Sequence, residues 1–116
     1  MTEHEITTAL DELIGLVAEG QALQAYEKFY HEDIQKIDLD GTLQQGKETL
    51  LKNGVEALSI ITDVRDFSAV GKIVKGNRSF LVWSIDLDNT NGTLKVVEVA
   101  VQDWKDGKII SERFFA

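Results

Sequence analysis

Cysteine is missing from this 116-residue chain, so no disulfide, thiolate metal site or cysteine nucleophile can be built. Histidine is scarce: His4 and His31 lie too far apart to argue for a zinc site and read as surface side chains, with no metal expected. Positive charge is also short, with 12 Lys and Arg against 20 Asp and Glu and a formal net charge of −8. Nucleic acid and anionic membrane surfaces both need a concentrated basic stripe, so this balance argues against either partner. No apolar run approaches a membrane span. The acidic start "MTEHEITTALDEL" lacks the basic end and apolar stretch of a secretory signal, and a cytoplasmic protein is expected. No proline, internal repeat or low-complexity stretch marks a linker, which leaves one domain over residues 1–116 with room for one core. What remains is an ordinary globular mixture, 43% hydrophobic and 28% charged.

Hydrophobic spacing divides the chain in two. Over residues 5–19, Ile6, Ala9, Leu10, Leu13, Ile14, Val17 and Ala18 recur at helical intervals, and Gly20 can close that helix in a left-handed cap. "QALQAYEKFYHED" predicts a second helix with Ala22, Ala25, Tyr26 and Phe29 on one side. A short strand is expected in "IQKIDL", a turn at Asp40-Gly41, and a third helix in "GKETLLKNGVEALSII" with Leu50, Leu51, Gly54, Leu58 and Ile61 inward. Beyond residue 62 the chain alternates or is rich in β-branched and aromatic residues, broken by "GN", "NTNG" and "DG", which are hairpin turn signals. Helices first and a consecutive meander afterwards give an α+β fold, not an alternating βαβ one.

Two short motifs invite chemistry that their setting excludes. "IDLDGTL" at 37–43 resembles the nucleophile loop of haloacid dehalogenase-type phosphatases. That loop works at the end of a parallel strand buried on both faces, whereas "DIQKI" is polar and the later chain has no crossover units. Asp-Gly is moreover a common turn pair. "DLDNTNG" at 86–92 resembles the start of a calcium loop, but Asn91 and Val97 occupy the positions that require Gly and Glu. It reads as a hairpin tip with solvated acids.

Three stretches carry a wider resemblance. "EGQALQAYEKFYHEDI" is similar to the helix and Phe-Tyr-x-x-Asp-Val lead-in to the first strand of the nuclear transport factor 2-like superfamily. "GKETL" resembles its Gly-x-x-x-Leu/Ile helix start, and "VQDWKDGKIISERFF" its closing hairpin. The SnoaL-like and ketosteroid isomerase-like branches are nearest, and the resemblance spans nearly the whole chain. It implies three N-terminal helices packed in the concave face of a strongly curved, mostly antiparallel sheet, a cystatin-like cone. A short first strand precedes a four-strand meander, and the open end holds an apolar pocket. The branch includes cofactor-independent isomerases and cyclases, and also many non-enzymes, so fold does not fix function.

Alternation then sorts side chains between faces. Pairing 80–88 with 95–104 sets Leu81, Trp83, Ile85 and Leu87 beside Val96, Glu98, Ala100 and Gln102, with Trp104 on the same face. By resemblance this face is concave and lines the pocket, together with Tyr26. The opposite face carries Val82, Val97, Val99 and Val101, too apolar for water, and suggests a homodimer through the outer sheet. In the last strand a three-residue loop at Lys105-Asp106-Gly107 sends Ile110, Glu112 and Phe114 inward. A two-residue Asp106-Gly107 turn sends Ile109, Ser111, Arg113 and Phe115 inward instead. The closing hairpin of the superfamily favours Glu112.

Asp38 matches the position of the proton-abstracting Asp of the isomerase branch, and Glu98 and Glu112 are the candidate acid partners. Simple alternation, however, turns Ile37 and Leu39 inward and Asp38 out. The positions matching the branch's oxyanion donors are about Leu13 and Ala100, which cannot donate a side-chain hydrogen bond. Glu98 interrupts "VVEVAV" on the inner face, where a carboxylate must meet a wet pocket or a cation. Two functions stay open: carboxylate acid–base catalysis on a small carbonyl-bearing or hydrophobic molecule, and a non-catalytic binding or association module.

Overall fold

The computed structural model describes all 116 residues. Helix α1 (Glu3–Ala18) begins two residues before the apolar periodicity suggests, because Thr2 and Glu5 form a capping box. The Thr2 hydroxyl accepts from the Glu5 N–H at 3.1 Å, and the Glu5 carboxylate accepts from the Thr2 N–H at 2.8 Å. Its buried stripe is Ile6, Leu10 and Leu13, spaced to face one side. Helix α2 (Ala22–Phe29) is shorter than expected: Tyr30 is already extended and opens strand β1 (Tyr30–Ile37). Helix α3 (Lys47–Ser59) buries Leu50, while Leu58, expected inward, is exposed beside an open groove. Gly54 faces α2, where a Cβ would come within 3.4 Å of the Leu23 side chain, an ordinary packing distance.

Between β1 and α3 lies a strand the sequence pattern does not announce, β2 (Leu43–Gln45), paired antiparallel with β1. The hairpin loop is Leu39-Asp40-Gly41, closed by Asp38 N–H to Thr42 O and Gly41 N–H to Asp38 O, both 2.9 Å. Asp40 accepts from the Thr42 N–H at 2.9 Å, and Gly41 takes the positive φ of 85° that a three-residue loop demands. "DGT" is thus a turn.

The long meander follows as β3 (Ile61–Lys75), β4 (Arg78–Asn89), β5 (Gly92–Lys105) and β6 (Lys108–Phe115). The sheet order is β2-β1-β6-β5-β4-β3, antiparallel throughout except for the parallel pair β1–β6. Register shifts at three places along β3–β4, and again in β1–β6 and β5–β6, bend the sheet around the helices. The result is the curled six-strand cone expected of an α+β fold. Leu81, Trp83, Ile85 and Leu87 of β4 meet the α1 and α2 stripes in a single buried cluster. α1 is also tied to β3 by an Asp11–Lys72 ion pair, and Glu3 accepts from the Gly76 N–H at 2.9 Å. At the other end Lys47 is buried between Glu27 and Glu32, at 3.5 and 3.8 Å.

The last hairpin combines both expected registers. Its turn is the two-residue Asp106-Gly107, which buries Ile109 against Trp104. A bulge then sets two residues of β5, Asp103 and Trp104, against three of β6, leaving Ile110 as the extra one. From there Glu112 pairs with Gln102 and Phe114 with Ala100 on the inner face, while Arg113 turns out beside Val101. The inward position expected for Ile110 under the longer loop does not occur. At the β4–β5 tip, Asp86 and Asp88 bind Arg65, which holds the Asp88 carboxyl down at about 2.

Candidate functional site

Strand β1 delivers Ile34, Lys36 and Asp38 to one face. Ile34 is fully buried, Lys36 reaches into the cone, and Asp38 sits at its rim one residue past the strand end. The expectation that Ile37 and Leu39 turn inward fails because Leu39 has left the strand for the turn and is largely exposed. Asp38 is partly buried. Its Oδ2 accepts from Gln44 Nε2 at 2.6 Å, and its Oδ1 lies 3.6 Å from the Lys36 ammonium. Asn53 of α3 in turn donates to Gln44 at 2.8 Å, so β2 positions this carboxylate.

Three depressions meet around Lys36. An inner cavity of about 120 Å³ is walled by Leu13, Phe67, Trp83 and Phe114, and its polar lining is Tyr26, Tyr30, Lys36, Glu98, Gln102 and Glu112. It shares Tyr26, Lys36 and Phe67 with an apolar groove of about 620 Å³ between the ends of α1 and α3 and the start of β3. That volume suits a small organic molecule. A shallower mouth of about 440 Å³ is bordered by Lys36, Asp38, Asp40, Glu98 and Phe114. Of the side chains expected to line a pocket, Tyr26, Trp83, Gln102 and Phe114 border these spaces. Leu81, Ala100 and Trp104 border none of the three and sit in the packed core instead.

The acids differ sharply in surroundings. Glu112 is buried but fully answered: the Tyr30 hydroxyl donates to its Oε1 at 2.9 Å and Gln102 Nε2 to its Oε2 at 2.8 Å. Behind Gln102, Ser79 donates to Gln102 Oε1 and Trp104 Nε1 donates to Ser79 Oγ, each at 2.8 Å. Every bond in this relay runs toward the carboxylate, which accepts at both oxygens and closes the network. Glu98 stands across the sheet from Trp83 with no such partners. Burial pushes its carboxyl up, Lys36 pulls it down, and Glu112 and Asp38 raise it further, with a net rise. Tyr26 stacks on Tyr30 with ring centroids 5.0 Å apart, and both hydroxyls are raised, mainly by burial and then by Glu112.

Residue-type reasoning alone misses Lys36, Tyr30 and Phe67. The signal for Lys36 is its two-residue spacing from Ile34, which places it on the buried face. Lys36 also lies over the Phe114 ring, 5.2 Å from the centroid. Of the two settings expected for Glu98, a wet pocket or a cation, it borders both the inner cavity and the mouth, with Lys36 near enough to pull its carboxyl down but not within ion-pair distance.

The sequence matches the SnoaL-like domain over residues 1–116. The chain belongs to the SnoaL-like family. No curated protein matches it. Among solved structures, this SnoaL-like chain is similar to a proposed SnoaL-like polyketide cyclase from Mesorhizobium loti. That pair shares 26% identity over 100% of both chains, with a TM-score of 0.85. It is also similar to a nuclear transport factor 2-like protein of unknown function from Burkholderia pseudomallei, at 14% identity, 98% of this chain, 90% of that one and a TM-score of 0.79. A third, from Catenulispora acidiphila, has a ketosteroid isomerase-like fold and was solved with trimethylamine. There the identity is 11%, the coverage 93% and 84%, and the TM-score 0.75. The last two establish fold kinship alone. No helix of the SnoaL-like chain is long and apolar enough to cross a membrane.

Proposed function

We propose that this SnoaL-like protein binds a small apolar, carbonyl-bearing molecule in the cone and moves a proton next to the carbonyl without a cofactor. The observation that carries this reading is the pair of unlike carboxyl groups at one mouth, Asp38 and Glu98. Asp38 is held by Gln44 beside a lysine, which suits a base. Glu98 lacks a hydrogen-bond partner and is biased toward its neutral form, which suits an acid. Glu112, the other candidate acid, has both oxygens committed as acceptors, and its part is to position Tyr30 and the cavity floor.

The test is solvent-deuterium incorporation into cyclic 1,3-diketones and aryl ketones, followed by NMR. Asp38→Asn is expected to slow protein-catalysed exchange about a hundredfold, the usual scale of a positioned base. Unchanged exchange removes Asp38 from the role.

A second reading, a non-catalytic binding or association module, draws on the apolar outer face. Val97 is 59% exposed and Ile73 65%, on the same side as Val82, Val99 and Val101. We assign that face to a second copy of the chain, and a monomer at micromolar concentration in sedimentation would count against it.

A further inference from the structure

The cavity holds two donors that the protein leaves without an acceptor. The Lys36 side chain is only 23% exposed, yet its ammonium makes no hydrogen bond: the nearest carboxylate oxygen, on Asp38, stands at 3.6 Å. The Tyr26 hydroxyl likewise has no protein acceptor, although stacking on Tyr30 fixes its ring. Of the neighbouring acids, Glu112 accepts at both oxygens, from Tyr30 and Gln102, and Asp38, which accepts from Gln44 at Oδ2 and keeps Oδ1 free, borders the outer mouth and not the inner cavity. What the inner cavity offers a ligand beside Glu98 is therefore these two donors, between the flat apolar walls of Phe67, Trp83 and Phe114. An ammonium and a phenol on a desolvated wall are the groups that stabilise a developing oxygen anion. Leu13 and Ala100, where the isomerase branch places its donors, contribute none.

We propose that Lys36 and Tyr26 form an oxyanion-binding site, taking the enolate or aryl-oxide oxygen of a flat apolar ligand. This rests on the small-molecule reading above. In a reaction, Asp38 removes the proton from the carbon beside the carbonyl. The C–H electron pair becomes the new C=C bond, and the carbonyl π pair moves to oxygen. Lys36 and Tyr26 hold that oxygen by hydrogen bonds and keep their own protons. Return of a proton from protonated Asp38 or from Glu98 to carbon restores the carbonyl.

The test titrates the full chain with p-nitrophenol, whose anion alone absorbs in the visible, and with nitrobenzene as a neutral flat counterpart. Quenching of tryptophan fluorescence gives both affinities. The wild type is expected to bind p-nitrophenol as its anion below the pH at which the free phenol ionises. Lys36→Met is expected to weaken that binding about tenfold or more and return the bound chromophore to its neutral form, as loss of a charged hydrogen-bond donor does. Tyr26→Phe is expected to weaken it less, Lys36→Arg to retain the anion, and none of them to alter nitrobenzene binding. Thermal unfolding of each variant confirms that it is folded. If nitrobenzene binds but Lys36→Met leaves the p-nitrophenol affinity and spectrum unchanged, or the wild type prefers the neutral phenol, the oxyanion site is wrong and the cavity reading stands. If neither probe binds the wild type saturably, the cavity reading fails and this site with it.

Discussion

Replacing Tyr30 by Phe removes one oxygen atom and leaves the aromatic stack on Tyr26 in place, but it takes away a donor to a buried carboxylate. Tyr30 is 3% exposed and Glu112 5%, so water does not readily substitute for the lost 2.9 Å bond. A hydrogen bond to a charged group contributes about 1.5–3 kcal/mol, and orphaning a buried acceptor falls in the same range, so a loss of about 2 kcal/mol is expected. An unfolding entropy of about 2.1 cal/mol/K per residue over 116 residues then converts this to a drop in Tm of about 8 °C. Tyr26→Phe is the matched control. Its hydroxyl has no protein partner, and a change within about 0.5 kcal/mol, or about 2 °C, is expected. Both variants are followed by thermal and urea unfolding, read through circular dichroism and through the fluorescence of Trp83 and Trp104. An unchanged urea m-value shows that the unfolded reference is the same. Equal stability losses in the two variants, or a Tyr30→Phe variant as stable as the wild type, would refute the claim that Glu112 ends a structural relay.

Further outcomes are open to measurement. Because the Glu98 carboxyl is raised in the fold above its ordinary 4.5, its contribution to stability is fully present below that pH and fades as pH climbs through the folded value. Glu98→Gln is therefore expected to flatten the stability–pH curve above about pH 4.5, measured as urea midpoints across a pH series; a curve parallel to the wild type's refutes the assignment. The raised tyrosines act in the same direction at higher pH: wild-type stability is expected to fall above about pH 10, and less steeply in Tyr30→Phe. Thr2→Ala opens the capping box of α1 and is expected to cost about 1 kcal/mol in urea unfolding. Val97→Asp places a charge in the apolar outer face and is expected to yield monomers in sedimentation, with far-ultraviolet circular dichroism unchanged.

The cone was legible where sequence period and tertiary packing agree. The α1 stripe, the inward set Leu81, Trp83, Ile85 and Leu87, and the pairing of β4 with β5 all follow from spacing and turn residues. Three places were not legible, for three different reasons. "FYHED" continues a helical pattern, yet Tyr30 is extended, with its hydroxyl on Glu112, 82 positions away in sequence. β2 is three polar-flanked residues whose only sheet partner is β1, and a strand so short leaves little periodicity to read. The last hairpin could not be settled by counting, since a bulge changes phase after the turn has fixed it. At the site, Asp38 and Glu98 stood out as acids in apolar surroundings. Lys36 did not, because one lysine in a polar strand looks like a solvated side chain until Ile34 is known to be buried.

The extra residue at Ile110 has a consequence for how this scaffold can change. Deleting that one residue would let the hairpin run in unbroken register with the two-residue turn intact, and every residue beyond it would keep its partner, Glu112 opposite Gln102 and Arg113 opposite Val101. The cavity floor therefore tolerates a strand one residue shorter at this point. It does not tolerate a straightened strand of the present length: with Ile110 drawn into the ladder, Arg113 would face inward and Glu112 outward, and the relay from Trp104 would lose its acceptor. The sign of the charge at the floor is governed by whether one residue is held out of the ladder.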